Sequence, residues 1–133
     1  GETVVYHDAQ NDMIAQSAPF TAEYHGDPAL VKAALDACNA CGVKAIAGKI
    51  ATGDLFVGDA ATKKVIEEKC HPDCVEMEGA AVAQVAFLNK VPFLIVRAIS
   101  DKADDSAMMD YAEFERQAIV HSTNLVRARI AAI

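Results

Sequence analysis

VEMEGAAVAQVAFLNKVPFLIVRAISD, residues 75–101, is the stretch on which the fold turns. Its opening completes a short strand from Cys74 to Glu78. Gly79 to Asn89 follows as an alanine-rich helix whose inward face carries Ala80, Ala83 and Phe87, small enough at two positions for close packing on a sheet. Phe93 to Ile99 is then an almost unbroken apolar run, as expected of a strand covered by helices on both faces. A strand, a helix and a second strand in that order make a crossover unit, which joins parallel strands.

The same alternation extends towards the start of the chain. Thr3 to His7 is a β-branched run that predicts a strand, and Asp8 to Gly26 is polar and irregular, the pattern of a loop or an excursion. Asp27-Pro28 signals a helix start, with Asp as cap and Pro in the first position, and Gly42 supplies the stop. Val43 to Ala51 predicts a buried strand, Thr52-Gly53-Asp54 the turn that leaves it, and Asp59 the cap of a helix running to Lys69. Pro72-Asp73 breaks the chain before the Cys74 strand. After the decisive stretch, Asp110 caps a final helix in which Tyr111, Phe114, Ala118, His121, Leu125 and Ala128 recur every three or four residues. The expected fold class is therefore α/β, layered, with a largely parallel sheet.

Composition agrees with one continuous domain over residues 1–133: 53% of residues are hydrophobic, 23% are charged, and no repeat or linker interrupts them. Twelve Lys and Arg against nineteen Asp and Glu leave a net charge of −7, which repels phosphate backbones and anionic lipid. No nucleic-acid or membrane partner is expected. Pro92 and Arg97 interrupt the longest apolar run, and GETVVYHD lacks the regions of a signal peptide, so the expected location is the cytoplasm. Cys38 and Cys41 form a C-x2-C pair and Cys70 and Cys74 flank His-Pro-Asp, a spacing that raises a metal or redox site. Helical placement of the first pair favours packed, reduced thiols, with His71 a loop residue and no metal.

In parallel sheets ligands bind beyond the carboxyl ends of the strands. Three such ends are conspicuous: Asp54 and Phe56 in ATGDLF, Glu76 and Glu78 around Met77 in VEMEG, and Arg97, Ser100 and Asp101 in IVRAISD. An arginine inside an apolar strand needs a carboxylate, so one of Glu76 and Glu78 should pair with Arg97 and leave the other for a ligand. Alternation would put both glutamates on one face, unless the chain turns between them. A free carboxylate suits two vicinal hydroxyls such as those of a ribose; a structural ion pair at the sheet rim is the alternative. Asp101 lies near Asp104 and Asp105, whose charges would favour a retained proton and a general-acid role, whereas Lys102 opposes it and an acidic cap would do neither.

These segments resemble a known family. VEMEGAAVAQVAFLNKVPFLIVRAISDKAD, with YHDA near the start, TGDLFV, and the DYAEF of the last helix, is similar to bacterial 5′-methylthioadenosine/S-adenosylhomocysteine nucleosidases, within the nucleoside phosphorylase and hydrolase superfamily. The resemblance implies a three-layer αβα fold with a mixed, largely parallel sheet, and hydrolysis of the N-glycosidic bond without metal or organic cofactor. It implies that Glu78 binds the ribose hydroxyls, Met77 packs on the sugar, and Glu76 orders the site with Arg97. Asp101 matches the acid that protonates adenine N7, supported by Ser100; Phe56 would stack on the base while the Val57 backbone meets its edge; Tyr111 falls near the ribose and the 5′-thio group.

One part of the pattern is missing. The family carries a water-activating glutamate in earlier strands, and Glu2, in GETVV, does not match it. The expectation is a C-terminal part of a longer nucleosidase domain, lacking N-terminal strands and exposing an apolar sheet edge. Its partners would be a small nucleoside and either a second copy in a homodimer or a complementing N-terminal segment. A purine nucleoside phosphorylase and a noncatalytic nucleoside-binding module are the alternative functions.

Overall fold

The computed structural model describes residues 1–8, 11–16 and 20–99. In chain order these form β1 (Thr3–Tyr6), α1 (Asn11–Ala15), β2 (Glu23–His25), α2 (Pro28–Ala40), β3 (Lys49–Thr52), α3 (Ala60–Cys70), β4 (Cys74–Glu76) and α4 (Gly79–Leu88). The strands lie in the order β2-β1-β3-β4. β2 runs antiparallel to β1, whereas β1, β3 and β4 are parallel, giving the mixed, largely parallel sheet expected.

Side-chain alternation divides the core between the two faces of this sheet. Val4 and Ile50 point to one face, where they meet Tyr24, Ala80, Ala83 and Ile95; Val5 and Ala51 point to the other, against Val57, Ile66 and Cys70. Helix α4 covers the first face and α3 the second, so the order of layers is αβα. Ala80 and Ala83 are fully buried, and their small side chains bring α4 close to the sheet. Phe87, the third residue expected inward, sits at the rim, its ring edge-to-face with Tyr24 at 5.7 Å between centroids.

The helix caps follow the sequence signals. Asp27 accepts from the backbone N–H groups of Ala29 at 2.9 Å and Leu30 at 3.0 Å, and Gly42 closes α2 with φ +67°. Asp59 accepts from Thr62 N–H at 2.8 Å, which holds its carboxyl below the ordinary range. At the far end of α3, His71, expected as a loop residue, is the C-cap and adopts the left-handed conformation.

Three strand expectations change. Asp8 to Gly26, read as a loop or an excursion, contains α1 and β2; β2 forms because Tyr24 is completely buried against the sheet, a driving force that three residues cannot show as a pattern. The strand expected over Val43 to Ala51 begins only at Lys49, because β1 is four residues long and pairs Thr3–Tyr6 with Lys49–Thr52; Ile46, before that ladder, is exposed. Phe93 to Ile99 forms no strand among the described residues. Ile95 is buried, but Val96 and Ile99 are exposed, and the segment meets its neighbours through single bonds: Phe93 O accepts from Asp27 N–H at 2.8 Å and Ile95 O from the backbone nitrogen of Gly1. Hydrophobicity drove burial here only at one end; β1 already has neighbours on both sides.

Candidate active site

The carboxyl ends of three parallel strands align in one row, Tyr6 opposite Thr52 and Thr52 opposite Glu76. The row lies on the α4 face, beneath the N-terminus of that helix. Such an end presents backbone N–H groups with no partners in their own helix and a partial positive charge. Glu76 answers both. Its Oε2 accepts from the N–H of Gly79 at 2.7 Å and of Glu78 at 3.1 Å, and its Oε1 accepts from the Thr52 hydroxyl. Thr52 Oγ1 in turn accepts from Ala80 N–H at 2.9 Å. Glu76 packs so tightly under the helix that a Cβ on Gly79 would stand 2.9 Å from Oε1. Tyr6 completes the row by donating its hydroxyl to Gln84 Oε1 at 3.1 Å, tying β1 to α4.

Capping from below releases the next glutamate. Glu78 occupies the N-cap position of α4, yet its side chain makes no capping bond. The strand stops at Glu76 and the chain bends through Met77 and Glu78, so the two glutamates do not share a strand face: Glu76 is 2% exposed in its side chain and Glu78 65%. Arg97 bridges them, with Nη1 at 3.1 Å from Glu78 Oε2 and 3.6 Å from Glu76 Oε2. Two expectations are thereby corrected. Arg97 is not an ion buried in a strand, since its side chain is 39% exposed and the buried ion is Glu76. Nor does it pair with one glutamate only. Because Glu76 keeps three other donors, Arg97→Met is expected to lower stability by only about 1 kcal/mol, the scale of a half-exposed ion pair; thermal unfolding of the full-length protein checks this, and a loss of several kcal/mol would mean that Glu76 depends on the guanidinium.

The turn after β3 carries the expected base-binding residues. Val57 is buried in the α3-side core, which fixes its backbone, while Phe56 is exposed and folds towards Gly58. Met77 is exposed beside Glu78. The structure thus brings Glu76, Met77, Glu78 and Arg97 together and places Phe56 and Val57 on the neighbouring strand's exit. Ser100, Asp101 and Tyr111 lie outside the described residues. Thr52, His7 and Asp8 were missed as contributors. Thr52 stood in the quoted TGDLFV and His7 and Asp8 in YHDA, but only the register of β1, β3 and β4 reveals their neighbours.

All four cysteines are free thiols, and burial pushes Cys70 and Cys74 up from the ordinary thiol range. Cys41, expected to be packed, is exposed at the C-cap of α2, where the helix ends and the side chain leaves the apolar stripe. Among the described residues no group of three or more His, Cys, Asp or Glu side chains is placed to hold a metal ion, and no helix is long and apolar enough to cross a membrane.

Comparison with known proteins matches residues 1–131 to the phosphorylase superfamily. The chain belongs to that superfamily. Among superfamily members, a 5′-methylthioadenosine/S-adenosylhomocysteine nucleosidase of Halalkalibacterium halodurans is 40% identical over 106 residues, 79% of this chain and 46% of the relative. An aminodeoxyfutalosine nucleosidase of Campylobacter jejuni is 44% identical over 100 residues, 75% of this chain and 44% of the relative. The solved nucleosidase of Neisseria meningitidis, in complex with methylthio-immucillin-A, superposes with a TM-score of 0.88 at 29% identity, over 100% of this chain and 60% of that one. The chain spans about half the length of the curated relatives it matches.

Proposed function

We propose that this chain is the C-terminal part of a nucleosidase domain that hydrolyses the N-glycosidic bond of 5′-methylthioadenosine and S-adenosylhomocysteine, releasing adenine and the thioribose. The observation that carries the reading is the division of labour in EMEG: Glu76 caps α4 from below, so Glu78 makes no capping bond and its exposed carboxylate stands beyond the strand end, oriented by Arg97 at 3.1 Å. That carboxylate accepts hydrogen bonds from the two ribose hydroxyls, and its charge stabilises the oxocarbenium-like sugar that forms as the C1′–N9 bond lengthens. Phe56 stacks on the base, the Val57 backbone meets its edge, and Met77 packs on the sugar. Asp101, supported by Ser100, protonates adenine N7, so the electron pair of the breaking bond leaves on a neutral base. Tyr111 takes the role that the family resemblance implies for it, contact with the ribose and the 5′ substituent. Water adds to C1′ and loses its proton to a base that a longer chain supplies. The protein works in the cytoplasm as a homodimer.

The names of the relatives support a nucleosidase reaction and differ in the nucleoside they print, which leaves aminodeoxyfutalosine as the second reading of the substrate. Adenine release from methylthioadenosine by the full-length protein, with and without phosphate, tests the reaction. Release independent of phosphate is expected. Strict dependence on phosphate would make the protein a phosphorylase, and binding without turnover a noncatalytic module.

A further inference from the structure

Beside the row that ends in Glu76, the chain leaving β1 makes a second set of contacts that the reaction does not use. His7 extends the ladder by one bond, donating its N–H to Thr52 O at 2.8 Å, and its ring turns beneath Gly53, occupying the space that a Cβ there would need. It is 6% exposed, and burial lowers its pKa, so the ring is neutral at neutral pH. Its Nε2 has no hydrogen-bond partner among the described residues, although an apolar ring of similar size would fill the space without that cost. Asp8 reaches the same turn from outside, its Oδ2 accepting from Asp54 N–H at 2.6 Å. Gly53 N–H is held by Glu76 O at 3.1 Å, and Lys69 Nζ donates to His7 O at 2.7 Å from the end of α3.

The backbone of Thr52, Gly53 and Asp54 is therefore fixed on one side, and Val57 is buried on the other. Between them Leu55 and Phe56 are 54% and 57% exposed. An aromatic ring with so little packing of its own stays in place only if its backbone is held. We propose that His7 and Asp8 are positioning residues that latch the Gly53–Phe56 turn and so pre-organise the aromatic platform on which a purine stacks. Holding such a surface in its bound shape strengthens binding by sparing the cost of ordering it on contact. The inference rests on the reading that Phe56 meets the base, and it assigns the latch to base affinity, separate from the ribose contact at Glu78.

The test uses the full-length protein and reads KM and kcat for methylthioadenosine together with inhibition by free adenine. His7→Ala and Asp8→Ala should each raise KM and the adenine inhibition constant roughly tenfold, the scale of one lost base–aromatic stack, with kcat nearly unchanged. His7→Phe, which refills the space under Gly53, should recover most of the adenine affinity. Phe56→Ala serves as the reference. If Phe56→Ala weakens adenine while neither latch variant does, the latch is wrong; if Phe56→Ala leaves adenine inhibition intact, the reading of Phe56 fails first. A fall in kcat at constant KM would also overturn the proposal. Asp8 is exposed, so its variant carries the test even where His7→Ala does not fold.

Discussion

Asp101→Asn is expected to reduce kcat for methylthioadenosine by about 10²- to 10⁴-fold, the usual worth of a general acid, while nucleoside affinity falls far less. Asparagine has nearly the shape of aspartic acid and its amide still donates a hydrogen bond to adenine N7. What it lacks is a proton to give. A substituent that binds N7 in the ground state but cannot neutralise the departing purine removes stabilisation from the transition state alone, so the loss appears in kcat. The pH profile separates this from a change of shape. An acid must be protonated to act, so the parent protein loses activity as pH rises through the pKa of that group; in the asparagine variant the residual rate should lack that alkaline limb. Near-normal turnover in the variant would end the assignment.

The layered fold was readable in the sequence because its causes are local. Asp27-Pro28 and Asp59 announce their helices by capping chemistry that acts within three residues, and Ala80 and Ala83 mark the face of α4 that approaches the sheet. Strand limits were less readable, because a strand extends only as far as its neighbour. β3 stops short of Val43 since β1 offers four partners, and Phe93 to Ile99 makes no ladder among the described residues despite its composition. The site divides in the same way. Glu76, Glu78 and Arg97 were legible as a charge problem, an arginine in an apolar run facing two carboxylates. Their roles were not, because they depend on the bend at Met77, which sends one glutamate under the helix and the other outward. Thr52 shows the limit most clearly. Nothing in its local sequence links it to Glu76, twenty-four residues away; the link is the register that sets Thr52 opposite Glu76.

That asymmetry predicts opposite consequences for two identical substitutions two residues apart. Glu78→Gln removes a largely exposed charge that makes no capping bond, so stability should change by less than about 1 kcal/mol. On the proposed ribose role of Glu78, its cost should fall on catalysis. A charge-assisted hydrogen bond to the ribose contributes roughly 1.5–3 kcal/mol, and the oxocarbenium loses a neighbouring anion, so kcat/KM should fall by at least about 10- to 150-fold. Glu76→Gln acts on the fold. The amide keeps one oxygen for the N–H groups of Glu78 and Gly79, but its NH2 must face the Thr52 hydroxyl, which now donates to Glu76 and already accepts from Ala80. Thr52 must either give up that donation or leave a buried hydrogen unpaired, at about 1–3 kcal/mol. Loosening the first turn of α4 also moves the backbone that carries Glu78, so activity should fall together with the unfolding midpoint. Chemical denaturation and steady-state kinetics on both variants decide the matter: if Glu78→Gln destabilises the protein as much as Glu76→Gln does, the two carboxylates share one structural task and the free ligand at the strand end does not exist.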